Sequence, residues 1–426
     1  MFEINENKEV VTEHSIRAIL AGLSGGEDID DSMDELEGLA EAAGARSLGW
    51  ITQVRERPDK ATYIGKGKVE ELADLCEKME ANIVIFNNEL SGAQIRNLED
   101  VIGVSVIDRT ILILDIFASR ALSAEGRLQV EYAQLRYRLP RLYGLGRSMS
   151  RSGAGIGTRG PGEKKLETDR RHIQSRMDEI RREIKELQKS REIRRRQREK
   201  SDIPVVALVG YTNAGKSALM NALLCRTNHE DKVVFEENML FATLDVSQRK
   251  ITLDSKKEFI LIDTVGFVSK LPHSLVDAFK GTLEEVLYAD LLVEVVDSSS
   301  DKCEFNMKVT KNVLNEIGAG DIPHIVALNK TDVASDSAKV PFIEDKSIKI
   351  SAKEGTGIDE LVDEICSVIF SDMKRANLVI PYDKGSISSY LCEKCTVYEM
   401  DYREEGTYFS VDLGIADFER LKSFIV

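Results

Sequence analysis

Over the first 117 residues, short runs of strand-forming apolar residues alternate with stretches in which apolar positions recur every three or four residues. Ser15 to Leu23 and Ser47 to Arg55 read as strands, and Ser32 to Ala43 as a helix stopped by Gly44. After Tyr63-Ile-Gly-Lys-Gly67 the helical period resumes over Val69 to Met79, followed by a strand at Ile83 to Phe86. A helix around Ala93 to Asp100, a strand over Val104 to Ile107 and a helix from Thr110 complete the pattern. Such alternation predicts a βα domain, residues 1–117, with a largely parallel sheet.

Residues 118–200 obey another rule. Leu128, Tyr132, Leu135 and Leu139 repeat at four and three residues before Pro140, which is expected to end the helix. Leu166, Ile173, Met177, Ile180, Ile184 and Leu187 repeat similarly on a longer helix, so the two stripes predict an antiparallel helical hairpin. Between them, residues 143–163 hold seven glycines, and Arg147, Arg151 and Arg159. A helix-to-helix turn needs only a few residues, so a long, mobile tip is expected. From 201 to 372 the apolar runs Val205 to Val209, Phe259 to Ile262, Ile325 to Leu328 and Ile348 to Ile350 predict a doubly wound sheet. Residues 373–426 read as a small βαββα module, making the whole an α/β multidomain chain.

The chemistry is carried by the residues immediately after those central strands. Gly210-Tyr-Thr-Asn-Ala-Gly-Lys-Ser217 is a phosphate-binding loop, with Ala218 next in the helix. Its glycines let backbone N–H groups turn inward around a triphosphate, and the helix dipole favours the anion. Lys216 adds charge at the β- and γ-phosphates, and the Ser217 hydroxyl suits Mg²⁺. Asp263-Thr264-Val265-Gly266 closes the second strand: Asp263 would hold the same ion through water, and the Gly266 N–H would meet the γ-phosphate. Asn329-Lys330-Thr331-Asp332 closes the third. A carboxylate at Asp332 accepts from the ring N–H and the amine of guanine together, whereas adenine offers no matching pair. Asn329 and the Lys330 stem would frame and cover the base, and Ser351-Ala352-Lys353 suits a backbone contact to the guanine oxygen. Three ordered motifs at strand ends imply GTP, GDP and a GTPase.

The switch positions refine that expectation. Phe241-Ala242-Thr243 lies where a first switch belongs, with Thr243 closing over Mg²⁺ and the γ-phosphate. Thr252, the competing candidate, sits in an alternating run and reads as a strand residue. After Gly266 comes Phe267, where many GTPases place a glutamine; a phenyl ring cannot orient the attacking water. Slow intrinsic hydrolysis, accelerated by a partner, is the expectation. Asn213 admits K⁺ bridging the phosphates in place of an arginine finger; the plainer alternative is an asparagine that braces the loop.

Charge changes the picture of the partner. The chain carries a formal −15, yet residues 120–200 hold 23 Lys or Arg against 11 Asp or Glu, a local +12 against −27 elsewhere. Glycine permits close backbone approach to a phosphodiester and arginine pairs with phosphate or stacks on bases, so Arg147, Arg151 and Arg159 are candidate RNA contacts. A disordered linker and solvated helices are the bland alternative. Six scattered cysteines give no disulfide framework, and Cys392 and Cys395 read as ordinary helix cysteines. With no apolar stretch of membrane-spanning length and a polar start at Met1 to Val10, a cytoplasmic protein without membrane contact is expected. Gly65-Lys-Gly-Lys68 could suit a second phosphate, but the full Walker spacing is absent and a tight turn is simpler.

Tyr63-Ile-Gly-Lys-Gly-Lys-Val-Glu-Glu-Leu72, Asp108-Arg-Thr110, Glu125-Gly-Arg-Leu-Gln-Val-Glu-Tyr-Ala-Gln-Leu135, Gly157-Thr-Arg-Gly-Pro-Gly-Glu163 and Leu166-Glu-Thr-Asp-Arg-Arg171 closely resemble the HflX family. So do Phe241-Ala-Thr-Leu-Asp245, Asp263-Thr-Val-Gly-Phe267 and Leu271-Pro-His273, and the match spans roughly residues 50 to 370. The resemblance implies a GTPase of the large ribosomal subunit that splits stalled or stressed ribosomes, with residues 147–163 reaching ribosomal RNA near the peptidyl-transferase centre; a monomer off the ribosome is expected. Ala218 and Val246 depart from the family's usual Thr and Pro; Ser217 still supplies the metal ligand, while Val246 alters the flexibility expected of the switch. A GTP-regulated RNA chaperone or assembly factor needs the same motifs, and a protein-binding scaffold is a third reading.

Overall fold

The computed structural model describes residues 16–26, 29–142, 161–199, 203–226, 240–241, 247–269, 285–334 and 346–426. Arg147, Arg151, Arg159, Ala242 and Thr243 lie outside them. The chain divides into two units: Met1–Glu192 with Asn238–Asp245 and Ser269–Gly281, and Ile193–Glu237 with Val246–Val268 and Thr282–Val426.

In the first unit, β1 (Ile16–Ser24), β2 (Ala45–Val54), β3 (Ile83–Phe86) and β4 (Ser105–Asp108) form a parallel sheet in the order β2-β1-β3-β4. Helices α1 (Asp30–Ala42), α2 (Lys66–Lys78), α3 (Gly92–Ile102) and α4 (Arg109–Arg120) alternate with the strands. The alternation expected from the sequence is therefore the fold. All four residues of β3 are buried, as an apolar run in a sheet covered on both faces requires. Ser91 and Gln94 cap α3 reciprocally, and Gly103, at φ 80°, ends it.

Asp108-Arg-Thr110 has a structural use. The fully buried Asp108 carboxylate accepts the Ile111 and Leu90 N–H groups at 3.0 Å each, and the Tyr137 hydroxyl. Arg109, itself buried, pairs with Glu35 and donates to Asn87 Oδ1 (3.0 Å) and the Ser269 carbonyl (3.1 Å). Phe241 packs edge-on against Phe117, ring centroids 4.6 Å apart. At Gly65 the N–H is taken by Gln53 Oε1 (2.8 Å), and Lys68 pairs with Glu71 (2.9 Å), so these groups serve the turn into α2.

Helices α5 (Ala124–Leu142) and α6 (Pro161–Glu199) form the hairpin. Its antiparallel sense is set by Arg176 forking onto Glu131 (2.8 and 2.9 Å), Arg181 meeting the Tyr132 hydroxyl and Arg191 pairing with Glu125. Two expectations are corrected. The most buried stripe of α5 is Val130, Ala133 and Tyr137, while Leu128, Tyr132, Leu135 and Leu139 are half-buried, because α5 also packs on α3 and α4. Pro140 stands inside α5, which ends two residues later; so near the end the ring removes one helical hydrogen bond without breaking the turn.

In the second unit a six-stranded sheet has the order β10-β9-β8-β5-β7-β6, comprising β5 (Val205–Val209), β6 (Ser247–Thr252), β7 (Glu258–Asp263), β8 (Leu291–Asp297), β9 (His324–Asn329) and β10 (Lys346–Lys349). Only β6 runs antiparallel to its neighbour. Helices α7 (Lys216–Arg226), α8 (Cys303–Ile317) and α9 (Ile358–Ile369) accompany it, with Val206, Leu208, Leu219, Leu261, Val293 and Ala327 in the core. Strand order reverses at β5, so its carboxyl end is the crevice where an open α/β sheet takes a ligand. The antiparallel sheet β11-β13-β12 (Lys374–Ile380, Gly406–Leu413, Thr396–Arg403) with α10 (Gly385–Lys394) and α11 (Ile415–Leu421) gives the expected βαββα module. All six cysteines are free; Cys392 lies in α10, but Cys395 is the residue that ends it, its thiol pushed up to about 11 by burial.

Candidate nucleotide site

The loop from β5 to α7 has the conformation its glycines allow. Gly210, at φ 136°, sits where a Cβ would strike the Val295 carbonyl; Gly215, at φ 93°, lies against the Asn329 side chain. Asn213 is left-handed at φ 60°, a region asparagine tolerates better than most residues. Across the loop, the Thr212 N–H donates to the Phe267 carbonyl (2.8 Å) and the Phe267 N–H to the Gly210 carbonyl (3.2 Å). The Phe267 ring is buried, which takes it out of solvent reach as well as out of hydrogen bonding. A Cβ at Gly266 would stand 2.7 Å from Thr212 Cγ2 and 3.0 Å from Lys216 Nζ, so only glycine fits there.

Lys216, Ser217 and Asp263 converge at this crevice. Lys216 Nζ donates to the Gly210 and Tyr211 carbonyls at 3.0 and 2.8 Å. Burial lowers its pKa to about 8, against the opposing pull of Asp263. Ser217 Oγ donates to Asp263 Oδ2 at 2.6 Å. Burial raises the Asp263 carboxyl above its ordinary value, with Lys216, Ser217 and the Thr264 N–H acting the other way. Its second oxygen, Oδ1, is buried without a hydrogen-bond partner among the described residues, as is Thr212 Oγ1. Leaving a carboxylate oxygen buried and unmatched is costly, and a hard divalent cation would relieve that cost. Ser217 and Asp263 thus fit a Mg²⁺ ion. The Thr264 hydroxyl is engaged elsewhere, donating to the Leu208 carbonyl (2.7 Å), so Thr264 faces the crevice by backbone at most, and Val265 is buried.

At the other end, strands β9 and β10 bring together the residues expected to recognise the base. Asn329 Nδ2 donates to the Ala214 carbonyl and Asn329 Oδ1 accepts the Ala352 N–H, both at 2.9 Å. This ties the phosphate loop to the loop after β10, and engages one backbone amide, that of Ala352, of the Ser351-Ala352-Lys353 stretch expected to contact the guanine oxygen. Ser351 Oγ donates to Asp332 Oδ1 at 2.7 Å and is the main reason this carboxyl lies below its ordinary value; Lys353 and Lys330 add to the effect. Asp332 is thus an anion with Oδ2 available to accept from a base. Ala218 lies in α7 behind Ser217, half-buried, and Thr252 is the last residue of β6.

Sequence reasoning overlooked Asp297, the final residue of β8. Lys330 Nζ donates to Asp297 Oδ2 at 2.7 Å, and Ser298, through both N–H and Oγ, grips the Asn329 carbonyl (2.9 and 2.7 Å). Its only sequence signal was its place: an acidic residue at the carboxyl end of a buried strand, beside the switch point.

Comparison with known proteins identifies the family. Residues 30–118 match the description GTP-binding GTPase N-terminal, 120–198 its middle region, 205–330 a 50S ribosome-binding GTPase and 339–422 the HflX C-terminal domain. The chain is 49% identical over 410 residues to GTPase HflX of Caldanaerobacter subterraneus subsp. tengcongensis, covering 96% of this chain and 94% of that one. It is 39% identical over 399 residues to GTPase HflX of Escherichia coli K12, covering 92% of each. Among solved structures it is similar to SsGBP in complex with GDP, at 24% identity and a TM-score of 0.46, over 84% of this chain and 99% of that one. With a phosphate loop, a buried carboxylate beside it and the Asp332 carboxylate at the same carboxyl end of the sheet, this chain binds and hydrolyses GTP and belongs to the HflX family of GTPases.

Proposed function

We propose that the protein is a GTP-timed factor that engages the large ribosomal subunit and dissociates stalled or idle ribosomes. Lys216 and the backbone of residues 210–217 hold the phosphates, Asp332 and Asn329 read the base, and the Gly266 N–H meets the γ-phosphate. Ser217, Thr243 and, through water, Asp263 hold Mg²⁺, which neutralises charge on the phosphate oxygens when bound. Asn213 is the candidate contact for a K⁺ ion. The observation that carries the reading is the segregation of charge: a +12 stretch over residues 120–200 in a chain that is otherwise −27. It fits a polyanionic partner held through one segment, with Arg147, Arg151 and Arg159 on RNA. The 50S ribosome-binding description of residues 205–330 supports the ribosome as the source of that RNA.

Phe267 supports a second part of the reading, that hydrolysis is slow until the large subunit orders the attacking water. Its buried ring has no polar atom to offer. The protein acts in the cytoplasm as a monomer off the ribosome; among the described residues no helix is long and apolar enough to cross a membrane. Sedimentation of intact ribosomes with protein and GTP tests dissociation directly. A rise in free subunits is expected. Binding without any such rise would favour instead a GTP-regulated RNA chaperone or assembly factor.

A further inference from the structure

β8 ends in Asp297-Ser298-Ser299, a turn whose residues are committed to the base loop or to each other. Asp297 Oδ1 accepts from the Ser299 N–H (3.0 Å) and Oγ (2.6 Å), which fixes the carboxylate plane and leaves Oδ2 for the Lys330 ammonium at 2.7 Å. Asp297 pairs in register with Asn329 on β9, and Ser298 takes the Asn329 carbonyl from two donors. Lys330 itself stands at φ 64°, a left-handed conformation that a residue with a Cβ adopts only when its surroundings hold it there. Both side chains of the pair are mostly shielded, 19% exposed for Asp297 and 28% for Lys330, so water competes weakly for their charges.

We propose that Asp297 is a positioning residue for guanine nucleotides, acting through Lys330. The inference rests on the reading of Asn329–Asp332 as the base site. A free lysine side chain loses much of its rotamer freedom when ordered. Asp297 meets that cost before the ligand arrives, holding the ammonium at the strand end so that the four-carbon stem is already laid out as a cover for the purine ring. Ser298 fixes the neighbouring carbonyl, and Ser299 fixes Asp297. The consequence falls on binding and release rather than on phosphoryl transfer, since none of these groups lies among those gathered around Lys216 and Asp263.

The test is the release rate of a fluorescent GDP analogue from the full-length protein, in wild type, Asp297→Ala, Lys330→Ala and the double variant. Loss of a charge-assisted hydrogen bond predicts release about tenfold faster in each single variant. Because one residue acts through the other, the double variant should release no faster than Lys330→Ala alone. In steady-state turnover the Asp297→Ala effect should appear in KM and not in kcat. Asp297→Asn, which keeps the Ser299 bonds and the shape but loses the charge, should be intermediate and guards against a folding defect. Unchanged release in Asp297→Ala and Asp297→Asn, with faster release in Lys330→Ala, overturns the inference and leaves the base site standing. Effects that multiply in the double variant overturn it too. Unchanged release in Lys330→Ala overturns the base-site reading and the inference with it.

Discussion

Lys216 shows how far one residue's environment is set by its loop. In solution an ammonium titrates near 10.5; here burial outweighs the Asp263 carboxylate and the value falls to about 8. Between those two values the unfolded chain keeps a proton that the folded chain has released, so stability rises with pH across that window; below it the cost of burying the ammonium is fully present and independent of pH. From pH 8 to 10.5 the nucleotide-free protein should therefore gain on the order of 3 kcal/mol through Lys216. Chemical unfolding of wild type and Lys216→Met at each pH measures it. The difference between the two curves should widen in favour of wild type as pH rises, and parallel curves would remove the claim. Asp332 lies at the other extreme, lowered by Ser351 and carrying its charge ready for the base.

At the scale of elements, apolar runs and their terminal motifs made most of the architecture legible. A strand buried on both faces is a continuous apolar run, so β3, β5 and β9 announce themselves, whereas the equally apolar β8 was not among the expected strands; the motifs after β5, β7 and β9 mark the carboxyl end of the sheet, where an open α/β sheet takes its ligand. Three things were hidden. The inner stripe of α5 could not be read because its partners on two sides, α6 and the α3–α4 pair, divide its surface between them. Arg109 looked like part of a motif, but its burial and its bonds to Glu35, Asn87 and Ser269 join residues up to 160 apart in sequence. Asp297 carries no pattern at all; only the pairing of β8 with β9 brings it to Lys330. The hairpin of α5 and α6 supplies the element-scale prediction. Replacing Arg147, Arg151 and Arg159 together by alanine should weaken ribosome binding and flatten its dependence on salt. On a log–log plot the slope should fall by about two to three, one counterion's worth per lost phosphate contact. Binding unchanged in strength and salt slope would instead favour the protein-scaffold reading.

Across the whole molecule, charge and catalytic economy point the same way. An acidic chain with one basic stretch has a single segment suited to a polyanion, and residues 120–200 are that segment. The proposed nucleotide contacts run from Lys216 to Asp332, and the position after Gly266 carries a buried phenyl ring in place of a group that could align water. The function proposed above expects such a site to cleave GTP slowly on its own, as a timer does, until a partner orders the water. The most direct measurement is GTP turnover by the purified protein with and without purified large ribosomal subunits, in otherwise identical K⁺ buffer. The account predicts a low rate alone and a marked, saturable acceleration by the subunits. Turnover that is already fast in isolation, or that the subunits leave unchanged, would contradict it.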